Sequence, residues 1–379
     1  MARRLAIGLM SGTSMDGIDV AAITTDGAGF VRFGQTMLRA YTEAEKQVIR
    51  AALQVAPGLQ DRAERPPELA LAESLVTETH AEAVNAFLEA TGYEATDVAV
   101  IGFHGQTVFH APDRGLTVQL GDGLALARAV GVPVVYDFRA ADVAAGGEGA
   151  PLVPIYHAAL VARSELPLPV AVLNIGGVAN ITYVGRSPAE MVGIEPEAGD
   201  GLLAFDCGPG NALIDDFCLA RTGRAYDLDG RLAAAGRVDE AVLAALMAHP
   251  FFDRPIPKSL DRNAFSRAAV DHLSTEDGAA TLTAFTAAAV ARGLAQLPER
   301  PETLIVAGGG AHNPTLTGML KLRCNTAIVP AADLGWSTDG LEAQAFAYLA
   351  VRHVAGLPIS FPGTTGVPVP TVGGVLAVP

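Results

Sequence analysis

Four glycine-rich segments hold the residues of this chain whose types and spacing suit chemistry on a phosphorylated ligand. In Leu9-Met10-Ser11-Gly12-Thr13-Ser14-Met15-Asp16-Gly17-Ile18-Asp19, hydroxyls, carboxylates and glycines are packed into a few residues. A turn of small residues leaves backbone N–H groups unshielded, and such groups cradle phosphate oxygens. Asp16 adds a carboxylate able to orient a magnesium ion or its waters. A tight turn without a ligand is the competing reading. Asn174-Ile175-Gly176-Gly177-Val178-Ala179-Asn180 offers the same physics a second time. In Phe205-Asp206-Cys207-Gly208-Pro209-Gly210-Asn211, a carboxylate at a strand end is followed by a sharp turn. Asp206 is therefore a candidate general base, or else a turn cap, a role Asp also favours. In Ala307-Gly308-Gly309-Gly310-Ala311-His312-Asn313-Pro314, bare backbone is open to a flat ring such as adenine or to a ribose.

Other chemistries find no support. There is no GxxxxGK[ST] loop and no complete GxGxxG. No GxSxG elbow occurs, and nothing near His104 and His110 completes a zinc set. The net charge of −15 speaks against nucleic-acid binding. The three cysteines, Cys207, Cys218 and Cys324, form no CxxC pair and read as packing residues of a reduced compartment. Arg3-Arg4 precedes only six apolar residues, too few for a secretion signal, which needs about 7–15. No membrane span is expected, and a cytoplasmic location is.

The elements that must position these segments alternate. Leu5–Met10 and Ile18–Thr24 read as a hairpin, 67–92 as a helix ending at Gly92, and Val98–Phe103 as a strand closed by His104-Gly105-Gln106-Thr107. Thr117–Leu120 and Val132–Tyr136 read as strands around a helix at Gly123–Val130. After the Gly/Ala-rich stretch Asp142–Pro154, a plausible crossing between lobes, the pattern restarts with strands at Val170–Asn174 and Asn180–Val184. Helices come next at 239–248 and 279–297, then a strand at Thr303–Ala307, and the tail from Gly356 holds no strong element. Strand–helix alternation implies an α/β fold. The repeated opening, strand, glycine turn, strand, suggests two lobes of common origin.

Together, IGLMSGTSMDGID, GFHGQT, LNIGGVANIT, FDCGPGNALID and VAGGGAHNP resemble, in order, the motifs of the anhydro-N-acetylmuramic acid kinases of the actin/hexokinase ATPase superfamily. The resemblance implies two ribonuclease H-like lobes, each a mixed sheet flanked by helices, around a nucleotide cleft. The first lobe would comprise 1–141 plus about 345–379, the second 142–344. ATP would be held by Ser11, Gly12, Thr13, Ser14, Met15, Asp16, Gly17, Ile18 and Asp19 from the first hairpin. Asn174, Gly176, Gly177 and Asn180 would serve from the second, with Gly208, Gly210 and Asn211 beside them. Gly308, Gly309, Gly310 and Asn313 would lie by the adenosine. His104, Gly105, Gln106, Arg139 and Glu342 would approach the sugar, Asp206 would be the catalytic base, and Asp16 a magnesium ligand. ATP and Mg²⁺ are the implied cofactors, and a homodimer is suggested by the resemblance alone.

Two departures stand out. Cys207 replaces the Thr common in the family, a swap conservative in size. Lys258-Ser259-Leu260-Asp261-Arg262-Asn263 replaces a KSTGRE-like segment, which leaves room for a related anhydro sugar such as levoglucosan. The other rivals are a kinase for a free hydroxyl, a phosphatase of the same fold, and a non-catalytic nucleotide-binding regulator. The anhydro substrate shapes the expected mechanism. Its O6 is tied to C1 and offers no proton, so a base would activate water toward C1 while O6 departs onto the γ-phosphoryl group. Lobes that share one nucleotide would be expected to close on it.

Overall fold

A computed structural model describes residues 1–12, 14–186, 201–261, 264–336 and 340–379. Thr13, Arg262 and Asn263 therefore lie outside the described residues. The described chain divides into two compact units. The first holds Met1–Arg163 and residues 340–379, the second Ser164–Arg186 and residues 201–336.

In the first unit the strands are β1 (Arg4–Ser11), β2 (Gly17–Thr25), β3 (Val31–Ala40), β4 (Val100–Ala111), β5 (Leu116–Leu120) and β6 (Val134–Tyr136). Its helices are α1 (Glu43–Val55), α2 (Pro67–Thr91), α3 (Gly123–Val130), α4 (Ala140–Ala144) and α5 (Pro154–Arg163). β1 pairs antiparallel with β2 and parallel with β4, β2 pairs antiparallel with β3, and β4 pairs parallel with β6. β1 and β2 are nearly continuous apolar runs because they are central strands, covered on both faces. Helix boundaries reflect local chemistry. Thr42 and Glu45 form a capping box at the start of α1, and α2 stops at Gly92, whose left-handed φ of 74° no β-carbon opposes.

In the second unit the strands are β7 (Val170–Ile175), β8 (Val178–Val184), β9 (Leu202–Pro209), β10 (Thr303–Ala307) and β11 (Ala327–Pro330). The helices are α6 (Ala212–Thr222), α7 (Arg231–Ala235), α8 (Glu240–Met247), α9 (Thr275–Leu294) and α10 (Pro314–Cys324). Here β7 pairs antiparallel with β8 and parallel with β10, β8 antiparallel with β9, and β10 parallel with β11. This is the arrangement of β1, β2, β4, β3 and β6 repeated strand for strand. Each unit is thus the mixed, helix-flanked sheet expected of a ribonuclease H-like lobe. Back in the first unit, the chain ends with α11 (Leu341–Val354), α12 (Pro362–Thr365) and β12 (Val375–Ala377), the last pairing with β6.

Small residues set the closest approaches. Gly8 and Gly102 are register partners on β1 and β4, and α11 lies directly on them. A β-carbon on Gly8 would stand 1.7 Å from the Ala343 carbonyl oxygen, and one on Gly102 2.0 Å from that of Phe346. In the second unit, Gly293 lets α9 lie on β9, where an added β-carbon would sit 2.7 Å from that of Cys207.

Three features differ from the sequence reading. His104-Gly105-Gln106-Thr107 does not close its strand: β4 runs on to Ala111 through a register shift. Residues 142–163 pack within the first unit, so the division falls after Arg163 rather than in 142–154. They are tied there by Asp142 to Thr365 and by Tyr156, whose hydroxyl donates to Gln344 Oε1 at 3.0 Å. The tail contributes β12 as an edge strand.

Candidate active site

In the second unit, pairing register builds a polar row. Asn174 on β7 stands opposite Asn180 on β8, and Asn180 opposite Asp206 on β9. Directly opposed residues share a sheet face, and all three are only partly buried. Between Ala179 and Asn180 the β8–β9 register shifts, so that Ala179 meets Gly208 and Asn180 meets Asp206. Such a bulge re-aims side chains. Cys207, the extra residue, turns into the core and donates its thiol to the Ala179 carbonyl at 3.2 Å. The Cys-for-Thr departure is therefore a packing position, on the side away from Asp206.

Three glycine loops meet at the end of this sheet. The Gly176 carbonyl accepts from Asn211 N at 2.7 Å and the Gly177 carbonyl from Gly210 N at 2.9 Å, so the loop after β9 is laced to the β7–β8 turn. A β-carbon on Gly210 would lie 2.2 Å from the Gly176 oxygen. The loop after β10 joins them. Gly308, with φ 79°, would bring a β-carbon within 2.5 Å of Asn174 Oδ1, and Gly310 one within 2.4 Å of Ile175 Cγ2. Gly309 faces the Asn211 amide. Asn313 caps α10, accepting from Leu316 N at 3.0 Å. Gly208 serves packing, since a β-carbon there would be 2.5 Å from that of Ala289 on α9.

Asp206 is held by the segment that departs from the family pattern. Its Oδ2 accepts from Leu260 N at 2.8 Å, and its own N–H donates to the Lys258 carbonyl at 2.9 Å. Lys258 is buried and spends its ammonium on the carbonyls of Phe251, Phe252 and Arg254. Burial raises the Asp206 carboxyl to about 6, with the Leu260 N–H pulling the other way. A carboxylate titrating there suits a general base near neutral pH.

In the first unit, the β1–β2 turn is compact: Met15 N donates to the Gly12 carbonyl at 3.1 Å, and Met15 takes a left-handed φ of 56°. Ser14 and Asp16 face solvent, whereas Gly17 and Ile18 are buried in β2 and Asp19 is partly so. Ser11 and Gln106, expected to reach phosphate and sugar, spend their side chains on each other: the buried Ser11 hydroxyl donates to Gln106 Oε1 at 2.6 Å and also meets Tyr41 Oη at 3.1 Å. They strut β1 to β4. Among the described residues no group of three or more His, Cys, Asp or Glu is placed to hold a metal.

His104 and Arg139 do come together. The β1–β4 register jumps from Leu9 opposite Phe103 to Ser11 opposite Gln106, which frees His104 and Gly105 from regular pairing. Gly105 must be glycine, with φ 71° and the Leu120 carbonyl oxygen 2.3 Å from an added β-carbon. Arg139 donates from one terminal nitrogen to the Gly149 carbonyl at 2.8 Å and from the other to His104 Nε2 at 3.0 Å. A guanidinium cannot accept, so the imidazole proton is on Nδ1, which donates to the Gly105 carbonyl at 2.7 Å. Burial, and then the Arg139 charge, hold His104 well below the usual histidine range, so it is neutral. The Phe346 ring of α11 lies 4.6 Å from the imidazole. Burial lowers Arg139 to about 10, with Glu342 and Asp142 opposing. Glu342, in the first turn of α11, has its carboxyl raised by the surrounding protein, while Arg139 lowers it. Sequence reasoning missed Tyr41, Asp142, the Lys258 anchor and the Leu260 N–H. Asp142 left a trace as an acid preceding the glycines at 146, 147 and 149, and Lys258 and Leu260 lie in the segment already noted as departing from the family pattern.

The doubled strand order, with a glycine loop at each hairpin, defines a class of fold: an α/β protein of two ribonuclease H-like units. Comparison with known proteins narrows it. The family described as Anhydro-N-acetylmuramic acid kinase matches residues 4–378. A protein of that name from Nitrobacter winogradskyi is 53% identical over 375 residues, covering 99% of each chain. One from Methylobacterium nodulans is 54% identical over 385 residues, covering 99% of this chain and 100% of its own. One from Bradyrhizobium diazoefficiens is 52% identical, covering 99% of each. The chain belongs to the anhydro-N-acetylmuramic acid kinase family.

Proposed function

We propose that this chain uses ATP and water to open the anhydro ring of 1,6-anhydro-N-acetylmuramic acid and to phosphorylate O6. The products are N-acetylmuramate 6-phosphate and ADP, in the recycling of cell-wall sugar. The observation that carries the mechanistic reading is Asp206, a carboxylate raised to about 6 on the same sheet face as Asn174 and Asn180.

In this reading Asp206 takes a proton from water as the water oxygen bonds to C1. The C1–O6 bond breaks, O6 bonds to the γ-phosphorus, and ADP leaves. The phosphoryl group takes the place that a general acid fills in an inverting glycosidase, so one carboxylate base is enough. Phosphoryl transfer otherwise needs positioning and charge neutralisation. The loops at Asn174–Asn180, Gly208–Asn211 and Gly308–Asn313 supply backbone to the nucleotide from the second unit. The first hairpin, with Gly12 and residues 14–19, is a further candidate phosphate loop. His104, Gly105, Arg139 and Glu342 contact the sugar, and Gln106 and Ser11 brace them. Leu260 meets Asp206 through its backbone N–H, so the altered side chain there is compatible with the family reaction.

Mg²⁺ commonly takes one or two protein carboxylates and fills its remaining positions with water and substrate phosphates. The solvent-facing Asp16 fits that demand. When bound, the ion would neutralise phosphate charge. No helix among the described residues is long and apolar enough to cross a membrane. With three buried free cysteines, a cytoplasmic site of action is inferred. A homodimer is carried over from the family and is checked by light scattering.

The test is purified protein with ATP, Mg²⁺ and the anhydro sugar in ¹⁸O water, read by mass spectrometry. Label at C1 of a 6-phosphorylated product is expected. Label in the phosphate, or equal turnover of levoglucosan, overturns the reading.

A further inference from the structure

Asp142 is 1% exposed, and its carboxylate is used at both oxygens. Oδ1 accepts from Gly149 N and Oδ2 from Thr365 Oγ1, each at 2.6 Å. The chain from 146 to 149 wraps this carboxylate. Gly147 N donates to the Asp142 carbonyl at 2.9 Å, and a β-carbon on Gly147 would stand 2.2 Å from Oδ1. Gly149 takes φ 67°, where a β-carbon would strike Val143 at 2.6 Å. Glu148 N donates to the Thr365 carbonyl at 2.7 Å, so the loop meets α12 directly as well as through Asp142. The Gly149 carbonyl then accepts from Arg139, whose other terminal nitrogen donates to His104.

We infer that Asp142 is a positioning residue: through Gly149 and with Thr365, it fixes the guanidinium of Arg139, and through Arg139 the tautomer and aim of His104. This rests on the reading of Arg139 as a sugar contact. A buried carboxylate with two short donors holds its loop far more rigidly than solvent would. The linkage joins the C-terminal segment to the sugar side of the first unit, so residues around 365 act on substrate binding without touching it.

The test is a double-mutant cycle on the full chain, with KM for sugar, KM for ATP and thermal midpoint measured for each variant. Asp142→Ala should lower kcat/KM for the sugar by about 10²-fold, the scale of a roughly 1 Å misplacement, and leave KM for ATP unchanged. Asp142→Asn should retain most activity, because the Thr365 hydroxyl can turn to accept from the amide. Thr365→Val should abolish that rescue when combined with it. In an Arg139→Ala background, Asp142→Ala should add nothing further. If Asp142→Ala does not fold, Asp142→Asn with Thr365→Val carries the same comparison. Additive losses, or equal loss for ATP and sugar, overturn the inference alone. An Arg139→Ala enzyme with normal sugar kinetics overturns the reading beneath it, and the inference with it.

Discussion

Each sheet has a break in its regular pairing beside a residue proposed to act in the reaction. In the first unit the break lies between Leu9 and Ser11, in a parallel pair, and releases His104. In the second it lies between Ala179 and Asn180, in an antiparallel pair, and sets Asp206 beside Asn180. The two breaks are filled differently. Around His104 every polar atom is spoken for, by Gly105, Arg139 and the Phe346 ring. Among the described residues Asp206 accepts from a single N–H, and its pKa is raised. In the proposed reading the first site holds a shape and the second exchanges a proton.

The sharpest way to break this contrast is Asp206→Asn. It should cost about 10²–10⁴ in kcat with ATP affinity retained, as measured by steady-state kinetics and calorimetry. Near-normal turnover would remove Asp206 from the chemistry.

Next is Gly8→Ala. Its methyl group would collide with the α11 backbone, so the helix must lift, at a cost of roughly 1–3 kcal/mol or more. Because α11 carries Glu342 and Phe346, KM for sugar should rise while ATP binding is kept. Loss of both together would argue that the units do not divide the work as proposed.

A third prediction concerns pH. The folded Asp206 holds its proton to about pH 6, above the ordinary 3.8. Its contribution to stability is therefore full below about pH 4 and is lost as pH rises through 6. Asp206→Asn should be more stable than the parent by about 1–3 kcal/mol at pH 8, and the difference should vanish near pH 4 in thermal melts. Activity should run the other way, with kcat/KM falling below pH 6. A flat profile from pH 5 to 8 would contradict the general-base role.

The smallest effect belongs to Cys207→Ser. The hydroxyl keeps the bond to the Ala179 carbonyl, so kcat should be unchanged and stability should fall by no more than about 1 kcal/mol.

Much of the scaffold was legible because its signals are local. Central strands such as β1 read as apolar runs, and α2 announces its end at Gly92. The strand β3 was not legible. It is an edge strand in which the exposed run Gly34-Gln35-Thr36 interrupts the alternation. The packing of 142–163 with the first unit was hidden because it depends on partners near residues 344 and 365. The same division runs through the site. Glycine loops show themselves in one dimension, and the motif around Asp206 was visible. That Ser11 and Gln106 bind each other, or that Asn174, Asn180 and Asp206 form a row, is a fact of register and exists only once strands pair.

The pairing breaks also have a meaning at the level of the gene. An unpaired residue in a strand is one codon, and side chains alternate faces with a period of two. Removing the codon for Cys207 would bring the pairing back into step: Gly208 and Asp206 would keep Ala179 and Asn180 as partners, but the bulge that aims Asp206 would be lost. The inheritance of this site therefore depends on reading length as well as on residue identity: substitution tests the groups, while an in-frame deletion of three nucleotides tests the address at which they are delivered.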